Sequence, residues 1–286
     1  MKEKKSKSNS LLEFPDILDN LGTIYITLLF ISGIIWAFIA INNFETPTIF
    51  KLSLIYSLLL IFGFLGISYD RGRTQKMGLD SRIWEATNIK KKLLISIILF
   101  AAWYFLFMTS GFSVATAQSV TGGTLFGVSP GLNFFLTAVL GPIAENVFFF
   151  GVISITFITI LRKIFATENK GNVIITALVI LATIPLFDNV PNIALLISIA
   201  AGLTLVTGLT QNQFLRKHAP IMISAIIVGT AVFPKFHSFA YQLNERHYIA
   251  AQLFGGGAVL LAAYVGILPV DIIHILNNAF VMGGFT

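Results

Sequence analysis

Four polar side chains interrupt long apolar runs in the second half of the chain, namely Glu145, His237, His274 and Asn278. Glu145 is the only Asp, Glu, Lys, Arg or His between residues 93 and 161. An ionisable side chain at a bilayer centre costs at least about 2.5–3.5 kcal/mol on insertion scales, so it needs a partner or a function. A carboxylate can activate water, while imidazole and carboxamide groups can donate hydrogen bonds to the oxyanion of peptide hydrolysis. We therefore treat these four residues as candidate catalytic groups.

The local spacing of these residues favours shared helix faces. Phe233 and His237 are four residues apart, as are His274 and Asn278, which puts the Cβ atoms of each pair about 5–6 Å apart on a helix. Asp271 precedes His274 by three residues, where it either orients the imidazole or favours the positive N-terminal end of the helix. Together these side chains supply the parts needed to activate water and stabilise an oxyanion.

Two mechanisms are open for the carboxylate. Gly141 and Pro142 lie about one turn before Glu145, where the proline removes a backbone donor and predicts a helix bent around a site. Glu145 could then act on water directly, or Glu145, His237 and His274 could form the ligand set of a catalytic zinc. Zinc is thus a candidate cofactor, whereas the absence of cysteine excludes thiol nucleophiles, disulfides and Cys-ligated metals.

The composition places these residues in a membrane protein. The 286 residues are 56% hydrophobic and 11% charged, and their mean hydropathy is +0.84, well outside the usual range of soluble domains. Apolar runs of about 17–25 residues can cross a bilayer as helices, and the alternating segments of about 10 residues that mark a transmembrane barrel are not found. We predict an all-α polytopic bundle of about eight to nine spanning helices. The formal charge of +6 fits basic cytoplasmic loops, so we expect lipid, and not nucleic acid, as a partner.

The predicted bundle occupies residues 21–286 and follows an N-terminal tail at 1–20. The first apolar run is too long for the core of a signal peptide. With the tail in the cytoplasm, 16 of the 19 Lys and Arg lie in cytoplasmic segments, as the positive-inside rule requires. We therefore expect a multi-pass protein of the cell membrane with a cytoplasmic N-terminus. The predicted spans are 21–42, 50–68, 93–113, 132–161, 172–187, 192–210, 219–241, 248–267 and 270–285.

This arrangement places the two histidines at different depths. Counted along their spans at about 1.5 Å per residue, His237 lies about 25 Å and His274 about 6 Å from the inner ends. They meet only if the helices tilt, if a helix breaks at Pro234, or if the turn at 266–271 lies deep in the protein.

Three stretches resemble the CPBP family of intramembrane peptidases, which includes the type II CAAX prenyl proteases. PIAENVFFFG (142–151) is similar to the first family motif, EExxxR, while FPKFH (233–237) matches the second, FxxxH, and HILNN (274–278) contains the third, HxxxN. The order of the motifs agrees, and the similarity covers residues 132–165 and 219–286. The resemblance implies an intramembrane endopeptidase that hydrolyses a membrane-associated or lipidated peptide or protein.

The resemblance also implies a role for each candidate residue. Glu145 would activate water, His237 would be its partner, and His274 with Asn278 would stabilise the oxyanion. Family members are described both as metal-dependent and as glutamate-dependent without metal, so both mechanisms stay open.

Two residues of the first motif differ from the family pattern. Asn146 replaces the second glutamate, and Phe150 replaces the arginine. If those two family residues form a buried ion pair, losing both leaves no unpaired charge.

Two other classes of function are open. A noncatalytic scaffold subunit of a membrane complex is favoured by the missing charges at 146 and 150, and disfavoured by the retention of Glu145. A small-solute or proton transporter could use Glu145, Lys235 and the histidines as a relay, but the two repeated halves typical of transporters are not visible. Hydrolysis without stable membrane partners would favour the peptidase over the scaffold.

Overall fold

The computed structural model describes residues 31–42, 44–45, 50–51, 53–61, 86–109, 131, 134–167, 169–187, 191–240 and 245–283. All regular secondary structure in these ranges is helical, which confirms the predicted all-α class. The predicted N-terminal tail and most of the charged loop between the second and third predicted spans lie outside the described residues.

The described residues form nine helices, and each overlaps one predicted span. Two of them differ from a plain α-helix, because α4 and α7 alternate between α-helical and π-helical segments. Residue 52 of α2 lies outside the described residues. The bounds are α1 Ile31–Asn42; α2 50–61; α3 Ala86–Thr109; α4 Phe135–Leu140 (π), Gly141–Glu145 (α), Asn146–Ile153 (π) and Ser154–Ala166 (α); α5 Lys170–Ala182, followed by a 3₁₀ turn at Ile184–Leu186; α6 Pro191–Leu209; α7 Gln213–Ser224 (α), Ala225–Val232 (π) and Phe233–Ala240 (α); α8 Glu245–Tyr264; and α9 Ile267–Gly283.

Two of these helices are long and apolar enough to cross a membrane. They run over Ala138–Ala166 in α4 and Gln213–His237 in α7, and six further apolar helices in the described part of the chain contain 10–17 residues. The structure thus supports spanning length for two of the nine predicted spans.

The short π-helical turns of α4 surround the carboxylate. Pro142 has no N–H and cannot complete the usual hydrogen bond four residues back, so the ladder shifts around it. An α-helical segment, Gly141–Glu145, is consequently flanked by π-helical turns on both sides. Such π-bulges are frequent at functional sites, and here the second one begins directly after Glu145.

Helices α7 and α8 approach each other at glycine. A Cβ atom at Gly229 would lie 2.6 Å from the carbonyl carbon of Gly255, and one at Gly255 would lie 2.9 Å from the carbonyl carbon of Gly229. Backbones can come this close only where neither residue has a side chain. Phe233, one turn after Gly229, is held against α8 by the same approach, since its ring is 6.0 Å from that of Phe254.

The chain reverses between α8 and α9 in a two-residue turn. The amide groups of Val265 and Gly266 both donate to the carbonyl oxygen of Leu261, at 2.8 and 3.1 Å. Gly266 has φ of 125°, a left-handed conformation that favours glycine. This turn fixes where α9, and with it His274, begins.

The pair α5 and α6 forms a second apolar cluster with the end of α4 and with α7. Val173, Ile180 and Ile197 are buried in it together with Leu161 of α4 and Ile223 of α7. These two helices correspond to the predicted spans that lengthen the chain between Glu145 and His237. Their packing leaves α7 antiparallel to α6, so the direction of α7 is kept.

Candidate functional site

Glu145, His237 and His274 converge on one carboxylate oxygen. Nε2 of His237 lies 3.3 Å from Oε2 of Glu145, and Nε2 of His274 lies 3.9 Å from the same oxygen. The exposed fraction is 4% for Glu145 and 6% for His274, so the cluster is buried between α4, α7 and α9. Three stretches that are far apart in the sequence thus form one site.

The two histidines meet without a deep turn between α8 and α9. The hydroxyl of Tyr264, the last residue of α8, is 2.7 Å from Nδ1 of His218, which lies in the second turn of α7. This contact places the reversal at 265–266 near the start of α7, close to the inner end predicted at residue 219. The alternative of a break at Pro234 is not found, because α7 continues as a helix from Phe233 to Ala240.

The ring of His237 is directed back along its own helix. Its Nδ1 atom is 3.0 Å from the carbonyl oxygen of Phe233, and the two rings are 4.3 Å apart, as their spacing of four residues predicts. This orientation turns Nε2 away from the backbone and toward Glu145.

Tyr56 is a member of the site that the sequence analysis missed. Its hydroxyl donates to Oε1 of Glu145 at 2.9 Å, and its ring is 4.9 Å from that of Trp36. Helix α2 therefore contributes to a site that the motifs place only on α4, α7 and α9. The available signal was a hydroxyl-bearing aromatic in an otherwise apolar run, but nothing in the sequence relates that run to Glu145.

Asn146 is the second missed member of the site. Its Oδ1 atom is 2.9 Å from Nδ1 of His274, and its Nδ2 donates to Oδ1 of Asp271 at 2.9 Å. Asn146 is fully buried, and Asp271 is 4% exposed. The residue that departs from the family motif thus links Asp271 to His274.

Aromatic rings enclose these polar groups. Phe254 lies 4.6 Å from the ring of His274, and Phe233 lies 6.3 Å from it. Phe150, at the position of the family arginine, is fully buried and packs 4.9 Å from Phe233. An apolar wall of this kind lowers the local dielectric and strengthens every polar interaction inside it.

Asn278 lies on the same helix but has a different partner. Its Oδ1 atom accepts from Nδ2 of Asn277 at 3.4 Å, and Oδ1 of Asn277 accepts from the indole of Trp103 at 3.3 Å. Within the described ranges, no hydrogen bond joins Asn278 to Glu145 or to either histidine. The oxyanion role implied for Asn278 stays a prediction.

The geometry arranges Glu145 and His237 to share a proton. Nδ1 of His237 faces a carbonyl oxygen, which only accepts, so this nitrogen carries a hydrogen. A neutral His237 then presents a lone pair at Nε2, and Oε2 of Glu145 stands 3.3 Å away. Two facing acceptors would repel, whereas one proton held by either group joins them. A pair of this kind can take a proton from water and later deliver it to a leaving group.

The zinc ligand set was tested against the same distances. Among the described residues, no group of three His, Cys, Asp or Glu side chains has an arrangement that could hold a metal ion. The contacts of Glu145 instead fit direct pairing of its carboxylate with the imidazoles.

No family model, curated protein or solved structure matches this chain.

Proposed function

We propose that this protein is an intramembrane endopeptidase of the CPBP type, in which Glu145 activates water for hydrolysis of a peptide bond. One observation carries the proposal: Oε2 of Glu145 is approached by the Nε2 atoms of both His237 and His274, at 3.3 and 3.9 Å. These are the residues that the three family-like stretches single out.

The proposed reaction uses Glu145 and His237 as one acid–base unit. The carboxylate takes a proton from water, and the water oxygen bonds to the carbonyl carbon while the carbonyl π electrons move onto its oxygen. The proton held by Glu145 and His237 then passes to the amide nitrogen as the carbon–nitrogen bond breaks and the carbonyl re-forms. The hydrogen bond from Tyr56 to Oε1 holds the carboxylate in one orientation through both steps.

A membrane setting for this reaction is supported by the outer surface of the bundle. Ile175 and Val179 on α5 are both 60% exposed, and Leu195 on α6 is 61% exposed. Soluble monomers rarely expose large contiguous apolar patches, whereas lipid covers them without cost. We propose a multi-pass protein of the cell membrane, with all nine helices contributing to the bundle.

The basic residues support one orientation of that bundle. Lys163 lies near the end of α4, Lys170 begins α5, and Arg216 and Lys217 lie near the start of α7. Since α5 and α6 run antiparallel, the short connections at 167–169 and 210–212 are on the same side. We place that side, and the N-terminus, in the cytoplasm.

The proposal is tested with the full chain reconstituted in liposomes. The probes are quenched fluorescent peptides of two kinds, one ending in a prenylated cysteine segment and one carrying an unmodified hydrophobic segment. Glu145→Gln, His237→Ala and His274→Ala should each lower cleavage by about 10²-fold or more, as expected for loss of a general acid or base. Glu45→Gln and His218→Ala, which change the same residue types outside the site, should retain activity.

Two results would contradict the proposal. Equal cleavage by wild type and Glu145→Gln would remove Glu145 from the reaction. No cleavage of either peptide class by wild type, together with stable co-purification of other membrane proteins, would favour the scaffold alternative.

A further inference from the structure

The polar chain from Asp271 through Asn146 to His274 is a separate feature of this site. It joins α9 to α4 and back to α9 through two hydrogen bonds of 2.9 Å each, and all three residues are buried. Buried polar networks of this kind are stable only when every member has a matching donor or acceptor. The direction of each hydrogen bond can therefore be worked out by starting from Asp271.

An ionised Asp271 can only accept hydrogen bonds. It requires the amide nitrogen of Asn146 to face it, which turns the amide oxygen toward His274. That oxygen also only accepts, so Nδ1 of His274 must carry the hydrogen. The reversed amide would set two oxygens 2.9 Å apart at Asp271, which is repulsive unless Asp271 is protonated.

We propose that Asp271 and Asn146 are positioning residues that hold His274 as the tautomer protonated at Nδ1, so that its Nε2 offers a lone pair to the site. His274 then acts as a second proton acceptor beside Glu145. This differs from the role of oxyanion donor that the family resemblance implies, because donation from Nε2 needs a hydrogen there. The catalytic consequence rests on the proposed function, whereas the tautomer itself does not.

The arrangement around Glu145 agrees with this assignment. Nε2 of His274 points at Oε2 of Glu145 from 3.9 Å, and Nε2 of His237 approaches the same oxygen from 3.3 Å. Both imidazoles have their Nδ1 atoms against oxygen acceptors, Asn146 in one case and the carbonyl of Phe233 in the other. Two rings thus present the same kind of nitrogen to one carboxylate oxygen, and a proton taken from water by Glu145 can pass to either.

The test reads the tautomer of His274 directly, by nitrogen NMR of the full chain labelled at histidine ring nitrogens in detergent micelles. The His274 signals are assigned from the spectrum of His274→Phe. In the wild type, we expect a protonated Nδ1 and an unprotonated Nε2. In Asp271→Asn the outer acceptor becomes a carboxamide, so the amide of Asn146 can reverse and a second population protonated at Nε2 should appear.

A reciprocal exchange supplies the rescue. In the double variant Asn146→Asp with Asp271→Asn, the carboxylate at 146 accepts both from Nδ1 of His274 and from the amide at 271. The bond between residues 146 and 271 reverses, but the bond from Nδ1 of His274 keeps its direction, so the Nδ1-protonated form should be restored as the sole neutral tautomer. Asn277→Asp, a neighbouring amide change on the same helix, should leave the His274 signals as in the wild type.

Activity provides an independent second measurement. Asp271→Asn should lower peptide cleavage by about tenfold or more, as expected where an imidazole loses the tautomer its role needs, and the reciprocal exchange should recover most of it. A wild-type His274 protonated at Nε2 would overturn the proposal, even if Asp271→Asn failed to fold. If the wild type cleaves no peptide but shows the expected tautomer, the proposed function is wrong, whereas the proposed positioning of His274 by Asp271 and Asn146 is confirmed.

Discussion

Replacing Gly229 by alanine should push α7 away from α8 and so move His237 out of reach of Glu145. The new Cβ atom would lie 2.6 Å from the carbonyl carbon of Gly255 and 2.7 Å from the amide nitrogen of Gly256, whereas ordinary contacts begin at 3.4 Å. To bring the contact with the carbonyl carbon to an ordinary distance, the helices separate by about 0.8 Å, the difference between 3.4 and 2.6 Å. Both neighbouring atoms belong to the backbone, so no side-chain rotation relieves the clash.

Two opposing effects set the free energy of this change. Alanine is favoured over glycine in a helix by about 1 kcal/mol, while overpacking a close contact costs about 1–3 kcal/mol. Because the clash is with backbone, we take the upper value, which leaves a net loss of about 2 kcal/mol in the free energy of unfolding.

The catalytic effect should be larger than the loss of stability. His237 follows Gly229 by two turns on the same helix, and its distance of 3.3 Å from Oε2 of Glu145 is near the limit for a hydrogen bond. A shift of nearly 1 Å would break that contact, and misplacement of this size can lower a rate about 10²-fold.

The measurements are unfolding by SDS titration, followed by circular dichroism, and peptide cleavage by the folded fraction. Gly257→Ala is the matched control on α8, because no atom lies within 4 Å of its new Cβ position. This control should be as stable as wild type or up to about 1 kcal/mol more stable, with full activity. If Gly229→Ala and Gly257→Ala behave alike in both assays, the close approach of the two helices does not set the site.

Tyr56→Phe should lower the free energy of unfolding by about 1.5–3 kcal/mol, because a buried carboxylate oxygen of Glu145 loses its donor; Tyr264→Phe, which removes a hydroxyl at an exposed helix end, should cost less. In a Glu145→Gln background the effect of Tyr56→Phe should shrink, and purely additive losses in this double-mutant cycle would refute the pairing. Phe150→Arg, which introduces the arginine of the CPBP motif, should lower stability by about 3–5 kcal/mol or prevent folding, since a fully buried charge would have no partner among the surrounding rings. Phe150→Leu should cost far less, and a stable Phe150→Arg protein would contradict the aromatic packing described for this position.

The helices could be predicted from the sequence because the apolar runs are long and clearly bounded. Each predicted span overlaps one described helix, and the all-α class follows from the same runs. The boundaries were less accurate where charged residues continue a helix beyond its apolar part. The third span is predicted to begin at residue 93, but α3 begins seven residues earlier, at Ala86. The helix extends through Lys90–Lys92 because lysine is a good helix former, even though these charges favour a cytoplasmic location.

The convergence of the motifs could be predicted only in part. The spacing of Phe233 and His237 and the type of residue at 145 pointed to a site, because both are local properties of a helix. The relative depth of His237 and His274 depends instead on how whole helices are inclined to one another and on where each ring points, as with the ring of His237, which is directed back toward Phe233. A calculation from straight helices includes neither effect, so it predicts that the two histidines lie far apart.

The site residues that could not be predicted from the sequence share one property. The role of each depends on a partner from a distant element. Tyr56 is 89 residues from Glu145, and Asn146 is 125 and 128 residues from Asp271 and His274. In the sequence, Asn146 stands out only as a difference from the CPBP motif, which has a glutamate at this position. In the fold, its amide accepts from an imidazole and donates to a carboxylate at the same time. A glutamate at this position would place two carboxylates face to face at Asp271, so Asn146 and Asp271 form a matched pair, and the reciprocal exchange should restore the tautomer and activity that Asp271→Asn alone loses.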